Sequence, residues 1–147
     1  HVGQLPVAYN AKDSYRHCTY YRGSLPTFSF GHGLTYTNFG YELVSADSTA
    51  VTVRITNTGS RPGWAVPQLY LHRTQGVVTA RTALWAFAKR LLSPGESWET
   101  TLPIPEEALM QYDWSMIQRR LPGRIEWFVK DCGETHLSGE FTDRVGG

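Results

Sequence analysis

The chain has 147 residues and a formal net charge of +1, which suits one compact domain and leaves no electrostatic footprint for nucleic acid or an acidic membrane surface. Its 41% apolar and 18% charged residues describe an ordinary globular chain, neither disordered nor fibrous. No apolar run reaches the roughly 18 residues of a membrane-spanning helix. Two cysteines, Cys18 and Cys132, are too few for a disulfide scaffold. A bridge between them is geometrically open, but two free thiols in a reducing compartment is the preferred reading. The sequence begins at His1 with neither an initiator Met nor a signal pattern, so a piece of a longer polypeptide, or a processed product, is expected. Cytoplasm and secretion both stay open.

Residues 1–38 scatter turn formers (Gly3, Pro6, Asn10, Asp13, Gly23, Pro26) among aromatics, with no sustained period. Such a stretch cannot bury enough surface to fold alone and reads as an extended lead segment needing a neighbour. It ends in Phe28-Ser29-Phe30-Gly31-His32-Gly33-Leu34-Thr35-Tyr36-Thr37-Asn38-Phe39, where Gly31 and Gly33 flank His32. Glycines at that spacing permit positive φ or close approach, and the surrounding aromatics offer surface to pin a turn. Phe28, Phe30, Gly31, His32, Gly33 and Tyr36 are therefore the expected junction and docking residues.

Strands begin at Tyr41, which with Leu43 alternates against Glu42. Val51, Val53 and Ile55 alternate with Thr52, Arg54 and Thr56 as the cleanest half-buried strand, closed by Asn57-Thr58-Gly59-Ser60. From Trp64 to His72, Leu69 and Leu71 share one face opposite Gln68, Tyr70 and His72. Pro67 within that run predicts an edge position or a bulge. Thr79 to Leu92 suits a short helix on propensity. Pro94-Gly95 turns the chain into a strand with Trp98, Thr100, Leu102 and Ile104 on one face. Pro105 to Leu109 reads as a single helical turn, with acids near its start. Ile125, Trp127 and Val129 mark a late strand, and Leu137 and Phe141 bracket the last. About seven short strands separated by turn signals predict an all-β, immunoglobulin-like sandwich.

Several motifs carry a family resemblance. Phe30-Gly31-His32-Gly33-Leu34-Thr35-Tyr36-Thr37 resembles the Phe-Gly-Tyr-Gly-Leu-Ser-Tyr-Thr signature of glycoside hydrolase family 3, with His32 where Tyr is commoner. Gly3-Gln4-Leu5-Pro6-Val7 and Tyr20-Tyr21-Arg22-Gly23 before it resemble further family motifs. So do Val53-Arg54-Ile55-Thr56-Asn57-Thr58-Gly59-Ser60-Arg61-Pro62-Gly63, Gln68-Leu69-Tyr70-Leu71-His72 and Leu92-Ser93-Pro94-Gly95-Glu96-Ser97 after it, all in the family's order. The resemblance implies a linker over residues 1–38, leaving an α/β sandwich domain, and a fibronectin type III-like domain over 39–147. It favours a strand near Leu84 to Lys89 over a helix. It also implies a parent of β-glucosidase or β-xylosidase type, hydrolysing terminal β-linked sugars with retention. The Asp nucleophile and Glu acid/base of such a parent would lie outside this segment. The expected partners are the α/β sandwich and barrel domains of that parent, and a homo-oligomer is open.

Glycoside hydrolysis needs two carboxyl groups flanking the scissile bond. The acids here are scattered over turns and outward strand faces, where solvation is the expected state. Asp113-Trp114 superficially resembles the family's Ser-Asp-Trp nucleophile motif, but no Ser precedes Asp113. Gln111-Tyr112-Asp113 instead matches the Phe/Tyr-Tyr-Asp of the fibronectin-like domain. His1, His17, His32, His72 and His136 show no metal-ligand spacing, and Arg119-Arg120 with Arg124 reads as a solvated basic loop. No catalytic residue, metal or cofactor is assigned. Trp98 and Trp127 have core parity, whereas Trp64 and Trp85 stand where the resemblance places polar residues and mark a possible partner surface. The alternative reading is a carbohydrate-binding module that stacks sugars on those exposed tryptophans.

Overall fold

The computed structural model describes residues 30–74, 82–113 and 115–143. The first half of the fold comprises β1 (Phe39–Ala46), β2 (Ala50–Asn57), β3 (Gly63–Ala65), β4 (Gln68–Arg73), β5 (Ala83–Phe87) and β6 (Arg90–Leu92). It continues with β7 (Ser97–Pro103), a helical turn α1 (Glu106–Leu109), β8 (Met110–Tyr112), β9 (Gln118–Arg120), β10 (Gly123–Asp131) and β11 (Glu134–Asp143). A three-stranded sheet of order β1-β2-β7 faces a four-stranded sheet of order β11-β10-β4-β5, giving a seven-stranded sandwich. Two ribbons, β3-β6 and β8-β9, stand outside both sheets, and all the pairings are antiparallel.

The period-two pattern explains the layering. Val51, Val53 and Ile55 point inward from β2 and meet Leu69 and Leu71 of β4 and Ile125, Trp127 and Val129 of β10 in one core. Each such aliphatic side chain contributes roughly 1.5–3 kcal/mol on burial. Trp127 lies over Gly139 of β11, directly opposite in register, where a Cβ would run into the indole. The strand near Leu84 forms as β5 and the helical turn near Pro105 as α1. Trp98 is partly buried and Trp127 fully so.

Four expectations are corrected. Pro67 is neither at an edge nor in a bulge. It sits buried between β3 and β4, where the chain leaves the ribbon and enters the interior of the four-stranded sheet. Tyr70, assigned to an outward face, is buried as well, because Phe30 packs edge-on against its ring at 6.4 Å and Lys130 Nζ lies 5.0 Å from the ring centroid. Leu43 is on β1 but substantially exposed; Val44 is an extra residue there, between the pairs Leu43–Val53 and Ser45–Thr52.

The fourth correction concerns charge. Asp131 and Asp143 are buried, not solvated. Asp143, 1% exposed, accepts from Arg120 Nε at 3.1 Å and Nη2 at 2.7 Å, and Arg73 Nη2 lies 3.5 Å from its other oxygen. Arg73 also donates to the carbonyls of Leu121 and Leu109, each at 2.8 Å. This cluster ties the ends of β4, α1 and β11 to the β8-β9 ribbon. Of the presumed basic loop, Arg119 pairs with Asp113 at 2.9 Å and Arg124 pairs with Glu140.

Removing one member of a buried ion cluster leaves the other charge without a counter-ion. Asp143→Ala should therefore lower unfolding free energy by about 3–5 kcal/mol, read as a fall in urea midpoint. An unchanged midpoint would show that water reaches Arg73.

Candidate docking surface

The Phe30–Thr37 stretch runs into β1 at one pole of the sandwich, where β2 ends and β4 begins. Its fixed point is Thr37, a buried polar residue. The Thr37 hydroxyl donates to Asn57 Oδ1 at 2.6 Å, and the same oxygen accepts the Gly59 N–H at 3.0 Å. The Asn57 amide donates to the carbonyls of Arg61 (2.8 Å) and Leu92 (3.0 Å). Two motifs separated in sequence are thus one clasp. Gly59 and Gly63 lie so close beneath Thr37 that a Cβ on either would collide with its side chain. Thr58 N–H donates to the Asn38 carbonyl at 2.9 Å, completing the seam.

Upstream, Gly31 adopts φ +82°, and a Cβ there would collide with Gln68 Oε1 and lie 2.8 Å from the Tyr70 hydroxyl. Gly33 does not share that conformation. A Cβ on it would meet Cys132 Sγ at an ordinary 3.7 Å, which corrects the expectation of positive φ at both glycines. Phe30 is pinned on one side by Tyr70 and exposed on the other. His32 is exposed, and Phe28 lies outside the described residues. Leu34 and Tyr36 are each 93% exposed although they flank the clasp. Hydrophobic side chains held outward by a pinned backbone mark a candidate contact surface.

The two tryptophans singled out by sequence lie elsewhere. Trp64, 53% exposed on β3, is opposite the exposed Leu91 of β6, with Lys89 Nζ 4.6 Å from the ring centroid. Trp85 is the extra residue of β5, between the pairs Leu69–Ala86 and Tyr70–Leu84. They belong to different sheets.

Sequence reasoning missed a polar group at this same pole. The Tyr41 hydroxyl donates to Asp131 Oδ2 at 2.5 Å, joined by the Val66 N–H at 3.2 Å, and His136 stacks on Tyr41 at 4.3 Å between centroids. Burial, then the hydrogen bond to Asp131 and its charge, push the Tyr41 phenol above its ordinary value. Cys132 is a free thiol in the two-residue turn between β10 and β11. It and Gly133 have φ 51° and 83°, the left-handed pair that such hairpins require. Burial and the adjacent Asp131 push its thiol up to about 11. Cys18 lies outside the described residues.

Comparison with known proteins follows the same lines. A family model described as a fibronectin type III-like domain matches residues 65–131. A periplasmic beta-glucosidase of Salmonella typhimurium is 31% identical, over 87% of this chain and 19% of its own length. A putative beta-xylosidase of Formosa agariphila is 32% identical, over 74% of this chain and 16% of its own. Among solved structures, a beta-glucosidase from Listeria innocua in complex with isofagomine aligns with TM-score 0.79 at 27% identity, covering 99% of this chain and 23% of that one. The chain thus spans less than a quarter of each of these relatives.

The two glycines of the motif should separate cleanly. Gly31→Ala, strained in conformation and in space, should cost about 1–3 kcal/mol in a denaturant titration, while Gly33→Ala should be near neutral. Equal losses would mean that Gly33 is also constrained. A second expectation concerns pH. Phenol and thiol are both raised in the folded state, so folding retains protons that the unfolded chain releases. Their stabilisation is complete below the ordinary thiol value of 9.0 and fades as pH rises through about 11 and beyond. Urea midpoints measured from neutral to alkaline pH should fall less steeply for Tyr41→Phe than for the unaltered chain. Parallel curves would remove Tyr41 from the linkage.

Proposed function

We propose that this chain, which belongs to the fibronectin type III-like domains of glycoside hydrolase family 3, is a non-catalytic brace within a longer enzyme hydrolysing terminal β-linked sugars. The observation that carries the reading is the outward display of Leu34 and Tyr36 beside the Thr37–Asn57 clasp. Covering two such side chains contributes roughly 1.5–3 kcal/mol each, enough to hold a tethered domain in one orientation. The similar β-glucosidases and β-xylosidase are several times longer than this chain, which supports other domains of the same polypeptide as the covering surface. Phe28, Phe30, Gly31, His32, Gly33 and Tyr36 form the docking stretch in this reading, with residues 1–38 as linker and 39–147 as the domain. The outward faces of Trp64 and Trp85 would serve subunit or domain contacts.

The disposition of the acids supports a non-catalytic role. Asp131 and Asp143 are committed to Tyr41, Val66 and the two arginines. Glu126 and Glu140 are cross-strand neighbours in a shallow depression of about 420 Å³ lined also by Phe128, Ser138 and Gly139. Both point from one sheet face, and Arg124 engages Glu140. A sugar resting there would have carboxyls on one side only, whereas the reaction needs them on opposite sides of the bond.

The isolated chain should release no chromophore from aryl β-glucosides or β-xylosides, and cello- or xylo-oligosaccharides should leave its Trp fluorescence unchanged. Specific turnover would overturn the reading, and saturable quenching would favour a sugar-binding module. In the longer polypeptide, Leu34→Asp with Tyr36→Asp should lower the unfolding temperature while leaving that of the isolated chain unchanged.

A further inference from the structure

The β8-β9 ribbon lies at the pole opposite the clasp. The register pairs the start of β2 with the end of β7 (Ala50–Pro103) and the start of β10 with the end of β11 (Gly123–Asp143), and the Arg73–Asp143–Arg120 cluster binds the ribbon there. With eight residues in β2 at about 3.3 Å each, the two poles are roughly 25 Å apart. The tip of the ribbon is built around Asp113. Its Oδ1 accepts the N–H groups of Ser115 (2.8 Å) and Ile117 (3.0 Å), and its Oδ2 takes Arg119 Nε at 2.9 Å. Its own N–H donates to the Ile117 carbonyl at 2.9 Å.

What this bracing holds out is apolar. Met116 is 70% exposed, Tyr112 and Ile117 about half so. Met116 is moreover kept at φ 60°, a conformation costing a residue with a Cβ about 1–2 kcal/mol. A turn that needed only to close would gain from Gly or Asn at that position. Here the backbone is fixed by Asp113 and the strain is spent on presenting methionine.

We infer that this tip is a second docking point, seated in an apolar recess of another domain of the same polypeptide. The inference rests on the chain being one domain of a longer protein, and size selects the occupant. The three exposed apolar side chains among the described residues of the tip can bury only a few hundred Å², well short of the roughly 1,200 Å² of free complexes. A second copy or a free partner would not be held by so small a contact. A domain already tethered through the clasp meets the tip at an effective concentration of order millimolar, where a small apolar contact suffices. Relatives of which this chain spans 19% and 16% have ample further polypeptide to supply the recess. The sandwich then touches its parent at both ends.

Peroxide oxidation of Met116, followed by peptide mass spectrometry, tests this, with the half-buried Met110 as internal reference. In the isolated chain Met116 should oxidise as an exposed methionine. In the longer polypeptide, diluted until monomeric, it should oxidise at least about tenfold more slowly. Equal rates overturn the inference, and protection that disappears on dilution overturns it in favour of a second copy. Met116→Asn with Ile117→Ser relieves the backbone strain, so it should raise the melting of the isolated chain slightly or leave it unchanged, yet lower that of the longer protein. No difference in the longer protein also overturns it. A longer protein with glycosidase activity, destabilised by Leu34→Asp with Tyr36→Asp yet unprotected at Met116, would retain the bracing role and lose this second contact alone.

Discussion

The structure depends on one buried carboxamide. Asn57 is fully enclosed, and an unpaired amide in that position would cost about 1–3 kcal/mol for each orphaned group. None is orphaned: its oxygen takes the Thr37 hydroxyl and the Gly59 N–H, and its nitrogen serves Arg61 and Leu92. Its backbone binds as well, donating to the Glu96 carbonyl and accepting from the Gly95 N–H, at 3.0 and 2.9 Å. Four residues, Thr37, Gly59, Arg61 and Leu92, converge on one side chain, and a hydrophobic replacement could match none of those bonds. The approach of the lead to the sandwich, and with it the outward aim of Leu34 and Tyr36, follows from that geometry.

Period-two alternation made the sandwich legible, because one buried face leaves its mark on each strand. Val51-Val53-Ile55 and Ile125-Trp127-Val129 could be read without any knowledge of their partners. The polar anchors could not. Tyr41 and Asp131 are 90 residues apart, and Arg120 and Asp143 are 23 apart. Nothing in local spacing joins such pairs, so the acids read as solvated. Pro67 misled for a related reason: a missing N–H argues against an interior strand, but here the proline occupies the break between β3 and β4 rather than a rung of the ladder. Gly31 and Gly33 look alike in sequence; only the presence of Gln68 and Tyr70 beneath the first tells them apart.

The sheet edges limit the kinds of contact open to the domain. The two main sheets have four edge strands, β1, β7, β5 and β11, and all but β7 carry one extra residue: Val44, Trp85 and His136. Extra residues interrupt the row of free N–H and C=O groups along an edge and increase its twist, which discourages pairing with a strand from another chain. They also re-aim side chains, and at His136 the imidazole is thereby stacked on Tyr41. At these three edges contact through side chains is favoured over strand addition, while β7 keeps a regular edge.

Rigidity between the poles is what gives such side-chain contacts leverage. A clasp at one end would orient a flexible module poorly, because small rotations about it would sweep the far end through several ångströms. Here the far end is tied by a carboxylate enclosed between two guanidinium groups, and the core between the ends is a continuous aliphatic layer. Buried ion clusters add little net stability compared with well-packed apolar residues. What this one supplies is register: Arg73 can reach the carbonyls of Leu109 and Leu121 only if β4, α1 and the segment after β9 hold fixed relative positions. The position of Leu34 and Tyr36 at one pole therefore constrains where Met116 and Ile117 stand at the other, as the proposed bracing role requires.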